Sequence, residues 1–280
     1  MKILFLGDVA GPSGRKAVQS YLPQIKKKNK IDFVIANGEN ASEAGVGITE
    51  KNAEDMFNAG VNVITSGNHI WDQKETIEHI TKEKRLLRPE NLIEGTPGRG
   101  FEIYNAPSGE KIAVLNLMGN IFMKKCEDAF RTAEKIFNKF RLKRNADFIV
   151  VDFHGEITSE KMAMGHYLDG KATLVIGTHT HVPTSDFRVL ENGTAYQSDA
   201  GMCGDYNSVI GMNKENSLKK FFNNKEAKKH FPSLGQATLS GIIVDGDLNT
   251  GLAKSVKQFL FCGVLKVVNY YGWAFALDWY

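Results

Sequence analysis

The feature that most constrains the fold is a series of short apolar segments that alternate with stretches of helical periodicity. The apolar segments are too short for buried helices, and they predict strands buried on both faces at 2–8, 32–38, 61–67, 147–153 and 173–177. Between them, apolar residues at helical spacing predict helices at 14–28, 49–59, 72–84, 126–143 and 159–169. This alternation is typical of an α/β protein.

Three further segments predict antiparallel strand pairs. Residues 101–117 read as a hairpin that turns at "PSGE", and residues 186–199 read as another, with the turn pair Asn192-Gly193. A third pair is expected from 237–244 and 252–260. Antiparallel pairs beside helix-connected strands predict a layered α/β domain with mixed sheets.

No linker, repeat or low-complexity run divides the 280 residues, so we expect a single domain over 1–265. Residues 266–280 form an aromatic C-terminal tail. Charged and polar residues interrupt the tail, so a membrane span is not expected there. A packed or oligomer-contacting role is favoured, and we expect a homo-oligomer.

Composition limits the class of protein and its compartment. The net charge of +3 is too small for a strongly basic nucleic-acid scaffold, which leaves an RNA-related partner without support from charge. The three cysteines lie far apart, which fits a reducing compartment better than a disulfide framework. The apolar run at the N-terminus is too short for a signal peptide, and we expect a cytoplasmic protein.

Polar side chains follow each of the five predicted strands, at the edge where open α/β sheets place their sites. The opening strand ends at Asp8 and the last one at "THTH". In chain order the polar residues at the five strand ends are Asp8; Glu39 and Asn40; Asn68 and His69; His154; His179 and His181. Most stand beside a glycine, which allows a sharp turn and a close approach of the backbone to a ligand.

Taken singly, these residues have structural explanations, such as a turn cap for Asp8 or a hydrogen-bonded core histidine for His154. Taken together, so many buried acceptors favour a cation as their partner. A set of imidazole, carboxylate and amide groups suits Fe, Mn or Zn better than Ca or Mg. Their number predicts two ions bridged by a carboxylate, which is an arrangement used to hydrolyse phosphate esters.

Other reactive residues are assigned structural roles. His79, His166 and His230 are expected to be structural or solvated. Cys203 lies near the predicted site but has no base at a recognisable spacing. The sequence contains no P-loop and no G-x-S-x-G motif, and "GTPGRG" lacks the strand–helix context of a dinucleotide fingerprint.

The order of these motifs resembles that of the calcineurin-like metallophosphoesterases. Their blocks D-x-H, G-D-x-x-D, G-N-H-[DE], H and G-H-x-H correspond here to "GDVA", "NGENA", "GNHI", "FHG" and "GTHTH". The segments at 87–100 and 198–211 are similar to the YmdB-like branch, which is known for hydrolysing 2′,3′-cyclic nucleotides. The resemblance extends to about residue 265 and implies a layered αββα sandwich.

The resemblance also implies a role for each motif residue. One metal would be bound by Asp8, Asn40 and His181, and the other by Asn68, His154 and His179. Glu39 would bridge both metals, and His69 would be the proton donor or a phosphate contact.

The chain departs from the wider superfamily at three positions. Ala10 stands where a histidine ligand is usual, Glu39 replaces the usual aspartate, and Ile70 replaces the acidic residue after G-N-H. Asn40 is the natural replacement for the lost ligand. Asp72 is a candidate to orient His69.

These observations predict a metal-dependent phosphodiesterase that hydrolyses small cyclic nucleotides by in-line attack of a metal-bridging hydroxide. Two alternatives remain open: a phosphomonoesterase or phosphoprotein phosphatase, and a regulatory RNA- or protein-binding protein with a vestigial site. The glycine-rich segments 40–47 and 201–211 are candidates for substrate walls, or ordinary surface loops.

Overall fold

The computed structural model describes residues 1–265. Its helices are α1 (Gly11–Asn29), α2 (Glu50–Asn58), α3 (Thr76–Lys82), α4 (Ala129–Lys139), α5 (Thr158–Tyr167) and α6 (Lys214–Phe221). Its strands are β1 (Lys2–Leu6), β2 (Asp8–Val9), β3 (Phe33–Asn37), β4 (Val63–Thr65), β5 (Phe101–Asn105), β6 (Lys111–Met118), β7 (Phe148–His154), β8 (Leu174–Thr178), β9 (Arg188–Val189), β10 (Ala195–Gln197), β11 (Met202–Asp205), β12 (Ala237–Gly246) and β13 (Ala253–Phe261).

The strands form two mixed sheets. The first sheet has seven strands in the order β2-β11-β12-β1-β3-β4, with β13 paired to β12. The second has six strands in the order β5-β6-β7-β8-β10-β9. The three predicted antiparallel pairs are confirmed as β5 with β6, β9 with β10, and β12 with β13.

The two sheets pack face to face between two layers of helices. In β1, Phe5 points into the core between the sheets, together with Val114 of the second sheet. Leu4 belongs to the core beneath α1 and α2, because successive side chains of a strand point to opposite faces. The far side of the second sheet packs against α4 and α5. The predicted αββα sandwich is therefore confirmed.

Some elements differ from the sequence predictions. Met202–Asp205, within the glycine-rich segment proposed as a substrate wall, is the buried strand β11 between β2 and β12. The predicted helix at 72–84 is shortened to Thr76–Lys82. Within residues 1–265, none of the helices is both long and apolar enough to cross a bilayer. The predicted tail at 266–280 lies outside the described residues.

The topology gathers the ends of strands from both sheets. In the first sheet, β1, β3 and β4 run parallel as neighbours, and in the second sheet β6, β7 and β8 do so. Their carboxyl ends point toward one edge of the sandwich. All eight residues predicted from the strand ends lie in the last positions of these strands or just after them.

Candidate metal centre

Nε2 of His154 lies at the middle of one group of predicted ligands. It is 3.0 Å from Oδ1 of Asn68, 3.1 Å from Oε1 of Glu39 and 3.1 Å from Nδ1 of His179. The donor atoms of Glu39, His154 and His179 all lie within 4.8 Å of one another. His154 and Glu39 are fully buried, whereas His179 is half-buried.

A second group adjoins the first and shares Glu39 with it. Nε2 of His181 is 3.1 Å from Nδ2 of Asn40 and 3.8 Å from Oδ1 of Asp8. The same Asn40 nitrogen is 3.3 Å from Oε1 of Glu39. A half-turn of the amide exchanges its nitrogen and oxygen, so Asn40 can offer either atom to this group. The structure thus brings together all seven predicted ligands.

The hydrogen bonds of these residues leave an excess of acceptors that fits a cation. Thr178 donates to Oδ1 of Asp152 (2.7 Å), so its oxygen accepts a hydrogen bond from Nδ1 of His154 (2.9 Å). In neutral His154 the lone pair of Nε2 therefore faces two oxygen acceptors, Oδ1 of Asn68 and Oε1 of Glu39. Oδ1 of Asp8 is buried and has no hydrogen-bond partner. Buried acceptors of this kind are stable beside a metal ion.

The charges of the buried groups support the same interpretation. Burial alone would lower the pKa of His154, but the charge of Glu39 and the carboxylates of Asp8 and Asp152 raise it to about 9. Burial alone would raise the pKa of Glu39, but His154 lowers it to about 2. A strong local preference for positive charge is what a cation site requires.

His179 and His181 occupy a strained turn after β8. Their φ angles are 106° and 66°, in the left-handed region that residues other than glycine rarely adopt. The turn is fixed by buried carboxylates, since Asp8 accepts a hydrogen bond from the His179 amide and Asp199 accepts from the Thr180 amide. Strain of this kind persists where the surroundings determine the conformation, and it is common at functional sites.

Gly67 allows the strand ends to approach each other. A Cβ atom at Gly67 would overlap the His154 ring and the Glu39 carboxylate. This position therefore requires glycine because of contact with the candidate ligands, as the sequence pattern around "SGNH" suggested.

His69 lies beside the group of ligands and has its own carboxylate partner. Its Nδ1 is 2.6 Å from Oδ2 of Asp72, and its amide donates to Oε2 of Glu39 at 3.1 Å. Asp72 thus occupies the orienting position considered for it in the sequence. With Nδ1 bonded to a carboxylate, Nε2 is the ring nitrogen available to a substrate.

Several residues that support the site were missed in the sequence. Asp152, Thr178 and Thr65 form a buried network behind His154, and Lys161 pairs with Asp199 behind the histidine turn. Polar residues inside apolar strands, such as Asp152 in "FIVVDFH", are the signal that could have identified them.

The alternative reactive residues do not contribute to the site. Cys203 is buried in β11, and burial raises the pKa of its thiol to about 12, so it is not a thiolate nucleophile at neutral pH. His79 is buried beside Glu50, at 3.6 Å, which agrees with a structural role.

Comparison with known proteins identifies the family. A family model described as YmdB-like protein matches residues 4–259. The chain is 43% identical over 260 residues to a 2′,3′-cyclic-nucleotide 2′-phosphodiesterase of Bacillus subtilis strain 168. The alignment covers 93% of this chain and 97% of that protein.

Two solved structures are also similar to this chain. A protein of Thermus thermophilus superposes with a TM-score of 0.86 at 38% identity, covering 93% of this chain and 99% of that chain. A phosphatase of Mycoplasma pneumoniae gives a TM-score of 0.85 at 36% identity, covering 93% of each chain. The fold and these relatives define the chain as a metallophosphoesterase, an enzyme that hydrolyses phosphoesters. Within that class it belongs to the YmdB-like family.

Proposed function

We propose that this enzyme is a dinuclear-metal phosphodiesterase that hydrolyses small 2′,3′-cyclic nucleotides. The substrate class is taken from the phosphodiesterase relative at 43% identity. The observation that carries the metal-dependent mechanism is the convergence of acceptors on Nε2 of His154, together with the unpartnered buried oxygen of Asp8.

The two groups of ligands correspond to two metal positions. Asp8, Asn40 and His181 would bind one ion, Asn68, His154 and His179 would bind the other, and Glu39 would contact both. Mixed nitrogen and oxygen donors favour Fe or Mn, with Zn as a third choice. When bound, the ions would supply a hydroxide for in-line attack on phosphorus and would neutralise charge on the phosphate oxygens.

The protein's own residues complete the reaction. Hydrolysis forms one P–O bond to the incoming oxygen and breaks one of the two ester bonds of the cyclic phosphate. The departing ribose oxygen then needs a proton, and His69 would donate it from Nε2. Asp72 supports the protonated imidazole through its bond to Nδ1.

A second candidate, a phosphomonoesterase, is favoured by one observation, the structural similarity to a Mycoplasma phosphatase. The same metal centre can attack either ester, and only the surrounding pocket discriminates between them. The regulatory alternative requires a vestigial site, and the full set of seven ligands argues against it.

The test is metal content and turnover on one anaerobically purified sample. We expect about two Fe or Mn ions per chain and conversion of a 2′,3′-cyclic nucleotide to a phosphomonoester. Glu39→Gln should lose both metal and turnover. Two metals with turnover of phosphomonoesters alone would favour the phosphatase. Absence of metal and turnover after reconstitution with Fe or Mn would favour the regulatory protein.

The homo-oligomer and the cytoplasmic location remain predictions.

A further inference from the structure

A cavity of about 210 Å³ opens directly beside the candidate metal centre. Its floor includes Gly67 and Asn68, so it adjoins the group of ligands around His154. The remaining walls are formed chiefly by Trp71, Leu92, Ile93, Thr96, Met118 and Lys124, and none of these residues was given a role in the site from the sequence.

The inner wall of this cavity is apolar and firmly supported. Trp71 and Leu92 pack against the core beneath α1 and α2. Met118 ends β6 and is fully buried. Such a wall differs from the metal centre beside it, where polar groups predominate. Small-ligand sites combine an apolar cavity with a few placed polar groups in this way.

A lysine lies between the cavity and the candidate proton donor. Lys124 donates a hydrogen bond from Nζ to the main-chain oxygen of Asn68, and Nζ is 3.7 Å from Oδ1 of Asp72. Lys125 follows it on the same rim and is exposed. A positive charge at this point favours a ligand whose anionic part is at the metal centre and whose apolar part is in the cavity.

We propose that this cavity is the nucleobase subsite of the enzyme, an inference that rests on the proposed function. A cyclic nucleotide has the required arrangement, because a planar aromatic base lies one ribose away from the phosphate. With the phosphate at the metal centre, the base would contact Trp71 and the apolar wall, and Lys124 would face the phosphate. Aromatic stacking accepts all four bases, so this subsite predicts broad base tolerance.

The test compares two cyclic phosphates that differ only in the base. One is uridine 2′,3′-cyclic phosphate, and the other is the methyl riboside 2,3-cyclic phosphate, which has no base. We expect the wild type to prefer the nucleotide by about 10-fold or more in kcat/KM, since stacking on an aromatic side chain is worth that much per base.

Two variants act on the cavity in opposite ways. Trp71→Ala removes the aromatic wall, and Thr96→Phe fills the space with a new ring. Both should reduce the preference for the nucleotide toward unity, mainly through a higher KM. Thr81→Phe is the matched control, because Thr81 is exposed on α3 and does not line the cavity. It should preserve the wild-type preference.

The possible results distinguish a wrong subsite from a wrong proposed function. If the wild type turns over both compounds at equal kcat/KM, the subsite is wrong and the proposed function stands. If it turns over neither, while a phosphomonoester is hydrolysed, the proposed function itself is wrong. A Thr96→Phe protein that melts at the wild-type temperature and keeps the full preference would also overturn the subsite. If a variant fails to fold, equal kcat/KM of the wild type for the two compounds would still overturn the subsite.

Discussion

Lys161 and Asp199 form a buried ion pair behind the histidine turn, with Nζ 2.8 Å from Oδ2 and side chains only 3% and 1% exposed. The same carboxylate accepts hydrogen bonds from the amide and hydroxyl of Thr180 and from the amide of Gly201. Asp199 therefore connects α5, through Lys161, to the backbone between the two histidines. The pair thus supports the turn that carries the two histidines.

Lys161→Met should destabilise the metal-free protein by about 3 kcal/mol or more, because it leaves a buried carboxylate without its charge partner. Denaturant unfolding in the presence of a chelator measures this directly. Lys82→Met is the control, since Lys82 and Glu78 are 71% and 79% exposed and a solvent-screened pair of this kind contributes little to stability. Equal losses in the two variants would contradict a special role for the buried pair.

Thr178→Val should weaken metal binding about 10- to 100-fold, as expected when the outer partner of a metal-ligating histidine is removed. The Thr178 hydroxyl oxygen lies between His154 and Asp152, and valine has nearly the same shape without that oxygen. Metal affinity can be measured by competition with a chromophoric chelator.

Thr65→Val is the matched control for Thr178→Val. Thr65 donates to the other oxygen of the same carboxylate, Oδ2 of Asp152, and makes no bond to His154. Its loss should affect folding stability more than metal affinity. If both variants weakened metal binding equally, the effect would come from the Asp152 carboxylate. The bond of the Thr178 hydroxyl to His154 would then have no role of its own in metal binding.

Asp8→Asn should separate stability from metal binding. Burial raises the pKa of Asp8, and its Oδ1 has no hydrogen-bond partner in the protein alone. Removing this charge should leave the metal-free protein at least as stable as the wild type. The stabilisation by added Mn should disappear, because a ligand is lost. Thermal unfolding with and without metal tests both expectations, and a large loss of stability in chelator would contradict the first.

The parts of the site that could be predicted from sequence are those that end a regular strand. The segments 2–8 and 173–177 contain the apolar runs "ILFL" and "LVI", and Asp8 and the histidine pair stand out as the polar residues that follow these runs. Parallel strands then place such residues at a common edge. The fold was predicted correctly because the strands and hairpins also have regular apolar patterns in the sequence.

The parts that could not be predicted depend on contacts between distant loops. Lys124 donates a hydrogen bond to the main-chain oxygen of Asn68, which lies 56 positions away in the sequence. No local sequence pattern predicts that contact. Helix α6 was missed because its buried side chains are Asn216 and Ser217, so it lacks an apolar stripe. Strand β11 was assigned to a loop because glycine-rich "MCGD" has little strand character.

Gly67→Ala should abolish metal binding and turnover while leaving a folded protein. The added methyl group overlaps His154 and Glu39, and the ligands can move apart only by leaving the metal positions. Gly95→Ala is a useful control. Its φ of +84° makes alanine strained by about 1 kcal/mol, but no atom lies within 4 Å of the new methyl group. Full metal content in Gly67→Ala would show that the close approach is not needed.

His69→Ala should retain the metals and lose turnover of cyclic nucleotides by about 10²- to 10⁴-fold, the usual contribution of a positioned proton donor. The loss should depend on the leaving group. A ribose oxygen needs a proton as it departs, whereas p-nitrophenolate is a weak base and leaves without one. The variant should therefore hydrolyse bis-p-nitrophenyl phosphate nearly as fast as the wild type. Asp72→Asn, which removes the charge at 2.6 Å from Nδ1, should show the same dependence with a smaller loss. If His69→Ala lost both substrates to the same extent, His69 would be a phosphate contact rather than the proton donor.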